Sequence, residues 1–235
     1  MTIRDGDRAG APVRQSWWDA VLAVLGLFLP VDCVGCGRAD RALCTVCRCT
    51  LAAAPRRVRL VAGVRLDAAF EYTGLVRTML LELKLRGRVD LAGPLGARFG
   101  GLVRAALADA GPGVVLLRVP PSRRGARRRG FDPVVLLAAR GGVRRSRALS
   151  RVPERGRSPS AGGRAAGHGG QKERSAVERV AATVGTLSVT GVSGRAVVVV
   201  DDVVTTGVTM AEAVRAVRAA GGRVVRCVAV ASVDD

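Results

Sequence analysis

The sequence predicts an α/β fold, a twisted, mainly parallel sheet flanked by helices, with a small N-terminal zinc-binding module ahead of it. Three observations predict this. The first is Val197-Val198-Val199-Val200, followed by Asp201-Asp202, a Thr/Gly turn and a helical pattern from Met210 to Ala220. A short β-branched run without a polar break suits a strand covered on both faces, as inside a parallel sheet. The second is another apolar run, Val224 to Ala231, after Gly221-Gly222. A strand–helix–strand unit of this length implies a right-handed parallel crossover. The third is Cys33-x-x-Cys36 followed, after seven residues, by Cys44-x-x-Cys47. Two such pairs supply four thiolates that can converge tetrahedrally on Zn²⁺.

Composition sets the outer bounds. A chain of 235 residues holds one full domain and a small module. Hydrophobic residues make up 49% but aromatic ones only 3%, so Val, Leu and Ala must build the core. The formal charge of +19 taken alone suggests a polyanionic partner. However, all but Lys84 and Lys172 of the 38 basic residues are arginine, and Ala, Gly and Val are abundant. That skew reads as coding bias, so charge is discounted, and phosphate-rich ligands and nucleic acid stay equally compatible with it. The apolar run from Ala20 to Val31 contains Gly26 and Pro30 and is too short to span a bilayer. With no secretory signal apparent, the expectation is a cytoplasmic protein without a membrane span, in a compartment that keeps thiols reduced.

Taken in order, residues 1–15 are polar and glycine-containing and are expected to form a disordered tail. Residues 16–55 form the N-terminal helix and the four-cysteine module. Ser16 can cap a helix whose face carries Trp17, Trp18, Val21, Leu22, Val24, Leu25 and Phe28. Packing on the module is expected, since the run has no basic residues with which to meet anionic lipid. Cys33, Cys36, Cys44 and Cys47 are the metal ligands, and with four positions filled the zinc would serve folding. A redox dithiol pair is the competing chemistry, but the βαβ context of such motifs is missing. Cys49 is a spare or substitute ligand, and Cys227 a buried apolar residue.

The remaining domain spans 56–235. Arg57–Val64 and Leu66–Tyr72 read as a hairpin around Ala62-Gly63. A helix follows from Gly74 to Leu85, with Leu75, Met79, Leu80 and Leu83 on one face; its Lys84 either faces a ligand or is a solvated helix-end cation. Another helix covers about Leu91 to Ala108, Gly111-Pro112-Gly113 breaks it, and Val114 to Val119 is a strand. Beyond that strand lie Ser122, Arg123, Arg124, Arg127, Arg128 and Arg129. Arginines at a strand's C-terminal edge complement a diphosphate, with a solvated surface patch as the plainer alternative. The interval 141–170, rich in Arg, Gly, Ser and Pro, is expected as a mobile insertion, either a lid or plain disordered chain. His168 has no identifiable partner there. Lys172 to Val184 is expected to be helical, and Ser193-Gly194 is a turn before the central strand.

The chemistry centres on Asp201 to Thr209. The turn offers backbone N–H groups and hydroxyls, and the following helix N-terminus adds partial positive charge, which together make a phosphate site. The aspartates one step away suit sugar hydroxyls or a divalent cation. An ordinary strand–turn–helix with capping aspartates and threonines is the plainer alternative.

From Val197 to Thr209 the chain closely resembles the phosphoribosyl pyrophosphate (PRPP) motif of type I phosphoribosyltransferases. Four apolar residues, two acidic, two apolar and a Thr-Thr-Gly-x-Thr loop all match. The resemblance implies that Asp201 and Asp202 hold the ribose hydroxyls and that Thr205, Thr206, Gly207, Val208 and Thr209 cradle the 5′-phosphate. Ser122, Arg123 and Arg129 are then the diphosphate candidates, with Mg²⁺ bound alongside PRPP. A narrower resemblance, to the ComF family of competence-protein-F-like homologues, rests on four features in order: the cysteine knuckles, Val119-Pro120-Pro121-Ser122-Arg123-Arg124, Arg129-Gly130-Phe131 and the PRPP motif. Gln171, Ser175, Glu178 and Arg179 match a further family segment. Arg118 replaces a usual proline, Asp132-Pro133 a usual Asn-Gln, and Ala182 a usual Asn. The ComF resemblance implies an association with DNA uptake. The function expected is a phosphoribosyltransferase; the alternatives are a non-catalytic protein handling single-stranded DNA with competence-machinery partners, or a PRPP or nucleotide sensor.

Overall fold

The structure, a computed structural model, describes residues 31–39, 41–143, 145–152 and 183–233, with Arg123 and Arg124 described in backbone only. The expected tail 1–15, the helix from Ser16, His168 and the stretch 171–182 lie outside those residues.

The described chain opens on the cysteine turns and enters α1 (Thr45–Ala53). Cys44 is its N-cap, with Sγ accepting from the Cys47 N–H, so the second cysteine pair also starts the helix. β1 (Arg57–Val61) and β2 (Val64–Glu71) form the expected antiparallel hairpin. Its two-residue turn has positive φ at both Ala62 (49°) and Gly63 (76°), the geometry whose twist matches a hairpin. Next come α2 (Gly74–Arg86), a 3₁₀ turn (Val89–Leu91), α3 (Ala92–Ala110) and β3 (Val115–Arg118).

After β3 the structure departs from a plain arginine loop. Arg123–Arg129 is a short helix, α4, capped by Ser122, and Pro133–Arg140 is another, α5, capped by Asp132. Proline suits the first turn of a helix, where its missing N–H costs nothing. The interval expected to be mobile also starts as ordered chain. β4 (Arg147–Ala148) extends the sheet beside β3, Leu149 is buried, and β5 (Ser150–Arg151) pairs with β6 (Leu187–Ser188). Burial of Leu149 and the ladder bonds hold this segment against its polar composition.

β7 (Ala196–Val204), α6 (Val208–Ala219) and β8 (Arg223–Ser232) complete the fold. The main sheet runs β1-β2-β8-β7-β3-β4, parallel throughout except for β1. The acidic pair, expected where the central strand ends, instead lies within β7. Asp201, Val203 and Val204 pair with Ala229, Ala231 and Ser232, and these partners carry the strand past the aspartates.

Alternation explains the valine run. Val198 and Val200 face a core shared with α2, α3, α5 and the cysteine module, whereas Val197 and Val199 face the core under α6. α3 and α5 meet through backbone: a Cβ at Gly100 would lie 2.3 Å from the Gly141 carbonyl oxygen, and one at Gly96 2.4 Å from that of Leu137. Glycine at both positions lets α5 sit close enough to bring its cap, Asp132, to the end of β3.

Candidate functional site

β7 and β3 are adjacent parallel strands. From β7 the chain turns to α6 on one face; from β3 it turns to α5 on the other. Loops diverging from neighbouring strand ends leave a crevice between them, where ligands bind in open α/β sheets. Here that crevice is a cavity of about 170 Å³, and Ser122, Arg129, Asp132, Asp201, Asp202 and Thr209 are among its lining residues. Five of these six were expected from sequence; Asp132 was expected only as a replaced amide.

The acidic pair is the electrostatic centre. Lys84 Nζ lies 2.9 Å from Asp202 Oδ1, which also accepts the Val203 N–H at 2.6 Å. Asp201 Oδ1 accepts the Asp202 N–H at 2.8 Å. Burial, then the Asp202 charge, raise Asp201 well above the usual carboxylate range, with Asp132 adding and Lys84 opposing. Protonated Asp201 is therefore favoured, and a cation or hydroxyl donor entering the cavity would stabilise its ionised form.

The wall opposite is built on Ser122. Its Oγ accepts the Gly125 N–H at 3.1 Å. A Cβ at Gly125 would stand 2.8 Å from Ser122 Oγ and 2.9 Å from each Arg129 terminal nitrogen. Arg129 is thus folded back toward Ser122, and among the described residues its buried Nε has no hydrogen-bond partner. Arg123 opens α4, close by in the chain. Arg151, which sequence reading missed, also lines the cavity and donates to the carbonyls of Pro120 (2.8 Å) and Pro121 (3.2 Å). One arginine among so many carries no sequence signal for that role.

Arg118 and Asp132, two of the positions where the sequence differs from the pattern it resembles, pair with one another. Arg118 Nε lies 3.0 Å from Asp132 Oδ2, while Asp132 Oδ1 caps α5 through the Val134 and Val135 N–H groups. Arg118 also donates to the Ser146 carbonyl at 2.6 Å.

The phosphate-type loop divides between two spaces. Thr209 lines the small cavity. Thr206, Gly207 and Val208 line a neighbouring space of about 450 Å³ with Arg59, Glu212 and Arg215. Gly207, at φ 76°, caps α6 in the left-handed region that favours glycine. Thr205 is exposed, and its carbonyl accepts Arg59 Nη2 at 2.5 Å. Buried Glu212 anchors α6 to β6, accepting the Leu187 N–H at 3.0 Å and pairing with Arg215 at 2.6 Å.

At the cysteine module, the sulfurs of Cys33, Cys36, Cys44 and Cys47 all lie within 4.8 Å of one another. The Cys44 N–H points to Cys33 Sγ at 3.3 Å and the Cys47 N–H to Cys44 Sγ at 3.5 Å. Burial pushes the Cys47 thiol up to about 12, and its cysteine neighbours add to the rise. At Cys33 burial acts upward too, but N–H groups of Cys44, Gly35 and Cys36 outweigh it and bring the thiol down to about 6. Four converging sulfurs with N–H donors fit a tetrahedral thiolate site, and the cluster can hold zinc. Cys49 is exposed and outside the cluster, and Cys227 is buried in β8.

These features agree with the phosphoribosyltransferase-like α/β fold expected from the sequence, with a cysteine module ahead of it. The comparison of families agrees: the profile described as phosphoribosyl transferase domain matches residues 127–234, from α4 to the end of β8. That span holds Arg129, the acidic pair and the phosphate-type loop, and it supports the type I phosphoribosyltransferase superfamily. No curated protein matches the chain. Among the described residues, no helix is long and apolar enough to cross a membrane.

Proposed function

We propose that the protein binds PRPP with Mg²⁺ and transfers its phosphoribosyl group to a nitrogen acceptor. The observation carrying this reading is the convergence of Asp201, Asp202, Thr209, Ser122 and Arg129 on one cavity at the ends of β7 and β3. The acceptor nitrogen attacks the anomeric carbon, the bond from that carbon to the diphosphate oxygen breaks, and the diphosphate leaves with the electron pair. The nitrogen then loses its proton to solvent. Such a reaction needs positioning and charge stabilisation more than a covalent nucleophile. Asp201 and Asp202 orient the ribose hydroxyls, and the Thr205–Thr209 loop holds the 5′-phosphate at the α6 N-terminus. Ser122, Arg123 and Arg129 take the diphosphate, with Arg129 already facing Ser122. Mg²⁺ would screen the diphosphate charge, and the half-buried carboxylates of Asp201 and Asp202 suit it directly or through its waters. Zinc on the four cysteines would serve folding.

Calorimetry with PRPP and Mg²⁺ on the wild type and on Asp201→Ala/Asp202→Ala tests the reading. Saturable binding in the wild type alone supports it, and no binding in either sinks it. Binding without diphosphate release across a panel of bases would leave a sensor.

The likeness to ComF proteins also proposes a cytoplasmic role in DNA uptake, with single-stranded DNA and competence proteins as partners. One observation favours such a partner: Arg48, Arg56 and Arg98 rim a space of about 610 Å³ where the cysteine module meets α3. Strand binding there should weaken steeply with salt, whereas PRPP binding should depend on Mg²⁺.

A further inference from the structure

We infer that Lys84 is a tethered cation that holds the place of a divalent ion at Asp202 and gives up that carboxylate when the metal-bound ligand arrives. The inference rests on reading the acidic pair as the ribose and metal end of the site. It adds a positioning residue from outside the stretch 127–234 that matches the transferase family.

Geometry carries it. The 2.9 Å contact joins two side chains each one-fifth exposed, so it is neither a loose surface pair nor a sealed one. α2 is pinned by buried Val76, Met79, Leu80 and Leu83, and Gly87 ends it in the left-handed conformation. Lys84 therefore sits in the last turn of a fixed helix, where the helix dipole favours a cation, and only its four-carbon stem can move.

Lys84 also lines a second cavity of about 250 Å³, together with Arg86, Gly87, Arg128, Arg129 and Phe131. No carboxylate lines that space, whereas three, Asp132, Asp201 and Asp202, line the cavity next to it. Arg129 borders both. Lys84 thus stands between a space with cations and no carboxylate and one where three carboxylates face Arg129 and Arg151. An arriving diphosphate would place negative charge on the cationic side, and its metal would place positive charge beside Asp202. Both changes favour the same swing of the ammonium, from carboxylate to phosphate.

The residue type fits this exchange. Lysine carries a compact point charge on a flexible stem, which an ion can replace. A forked guanidinium would bind a carboxylate at two points and yield less readily. In a chain where all but two of 38 basic residues are arginine, this position is lysine. A consequence is that free divalent ions compete poorly for the empty site and enter as the ligand's complex.

Mn²⁺ titration followed by water-proton relaxation, with no PRPP present, tests the exchange on folded full-length chains checked by circular dichroism. Lys84→Met should bind Mn²⁺ on the order of tenfold more tightly than wild type, as expected when one half-buried counter-charge is removed. Adding Asp202→Asn should abolish the gain, and Lys84→Arg should not show it. In calorimetry with PRPP and Mg²⁺, Lys84→Met should bind about tenfold more weakly than wild type. Equal Mn²⁺ affinity in Lys84→Met and wild type, or a gain that survives Asp202→Asn, overturns the inference. If wild type fails to bind PRPP, the transferase reading falls, while the Mn²⁺ comparison still decides what Lys84 does. Lys84→Gln provides a second neutral variant should Lys84→Met not fold.

Discussion

Arg118 and Asp132 meet at 3.0 Å where β3 ends and α5 begins, each four-fifths hidden from solvent. The two residues complete each other. A half-buried guanidinium needs a carboxylate, and a carboxylate at a helix N-cap serves the helix as well. The pair therefore joins strand to helix through an ion pair.

Asp132→Asn and Asp132→Ala should separate the two duties. Asparagine caps a helix nearly as well as aspartate, so Asp132→Asn loses chiefly the pairing, about 1 kcal/mol. Asp132→Ala loses the cap too and leaves Arg118 unpaired, about 2–3 kcal/mol. Urea unfolding of both variants, with Arg118→Met to close the cycle, measures the difference.

Asp201→Asn should stabilise the ligand-free protein while removing PRPP binding. Folding raises the Asp201 pKa, through burial and then the Asp202 charge. The folded state therefore holds this proton more tightly than the unfolded state, and stability falls as pH rises from about 4 toward the folded value. The asparagine variant escapes that loss. Its melting temperature should match the wild type near pH 4 and exceed it at pH 8.

Gly100 and Gly101 are neighbours on α3 that should respond oppositely to alanine. At Gly100 the new methyl would meet the Gly141 backbone at 2.3 Å, forcing α3 from α5 at a cost of about 2 kcal/mol. At Gly101 nothing lies within 4 Å of the new Cβ. Alanine there should stabilise by about 0.5–1 kcal/mol through helix propensity alone. Thermal melts of the two single variants decide it.

Zinc content should track four cysteines and ignore the fifth. Colorimetric release from the purified protein should give about one zinc per chain, retained in Cys49→Ser and lost in Cys33→Ser. Because Cys33, Cys44 and Cys47 share a core with Leu80, Leu83 and Phe99, metal loss should also lower the main melting transition.

Much of this was legible from the residues. The valine run could belong only to a strand with two covered faces, the cysteine spacing left little choice of chemistry, and Ala62-Gly63 marked its hairpin. What escaped had non-local causes. The arginine run has no apolar period, so α4 was invisible apart from its cap, Ser122; α5 went unread although Asp132-Pro133 and the apolar run Val134 to Ala139 carried its signal. β7 continues past the aspartates because β8 offers Ala229 and Ala231 alongside. Lys84 could be read as ligand-facing or solvated, and only packing of α2 against the sheet brings it to Asp202. Arg151 reaches the proline turn from a segment whose composition resembles free chain.

The continuation of β7 through Asp201 to Val204 sets a mechanical boundary in the site. Asp201, Val203 and Val204 are laddered to β8, and the two threonines that follow Val204 are not. In hydrogen–deuterium exchange the amides of the acidic segment should open slowly, with the sheet, and those of Thr205 and Thr206 quickly. On the proposed transferase reading, the carboxylates would be a fixed gauge for a sugar, and the adjoining loop the part left to adjust to a phosphate. A rigid part and an adjustable part of the proposed site would thus be neighbours in the chain, divided at the Val204–Thr205 peptide bond.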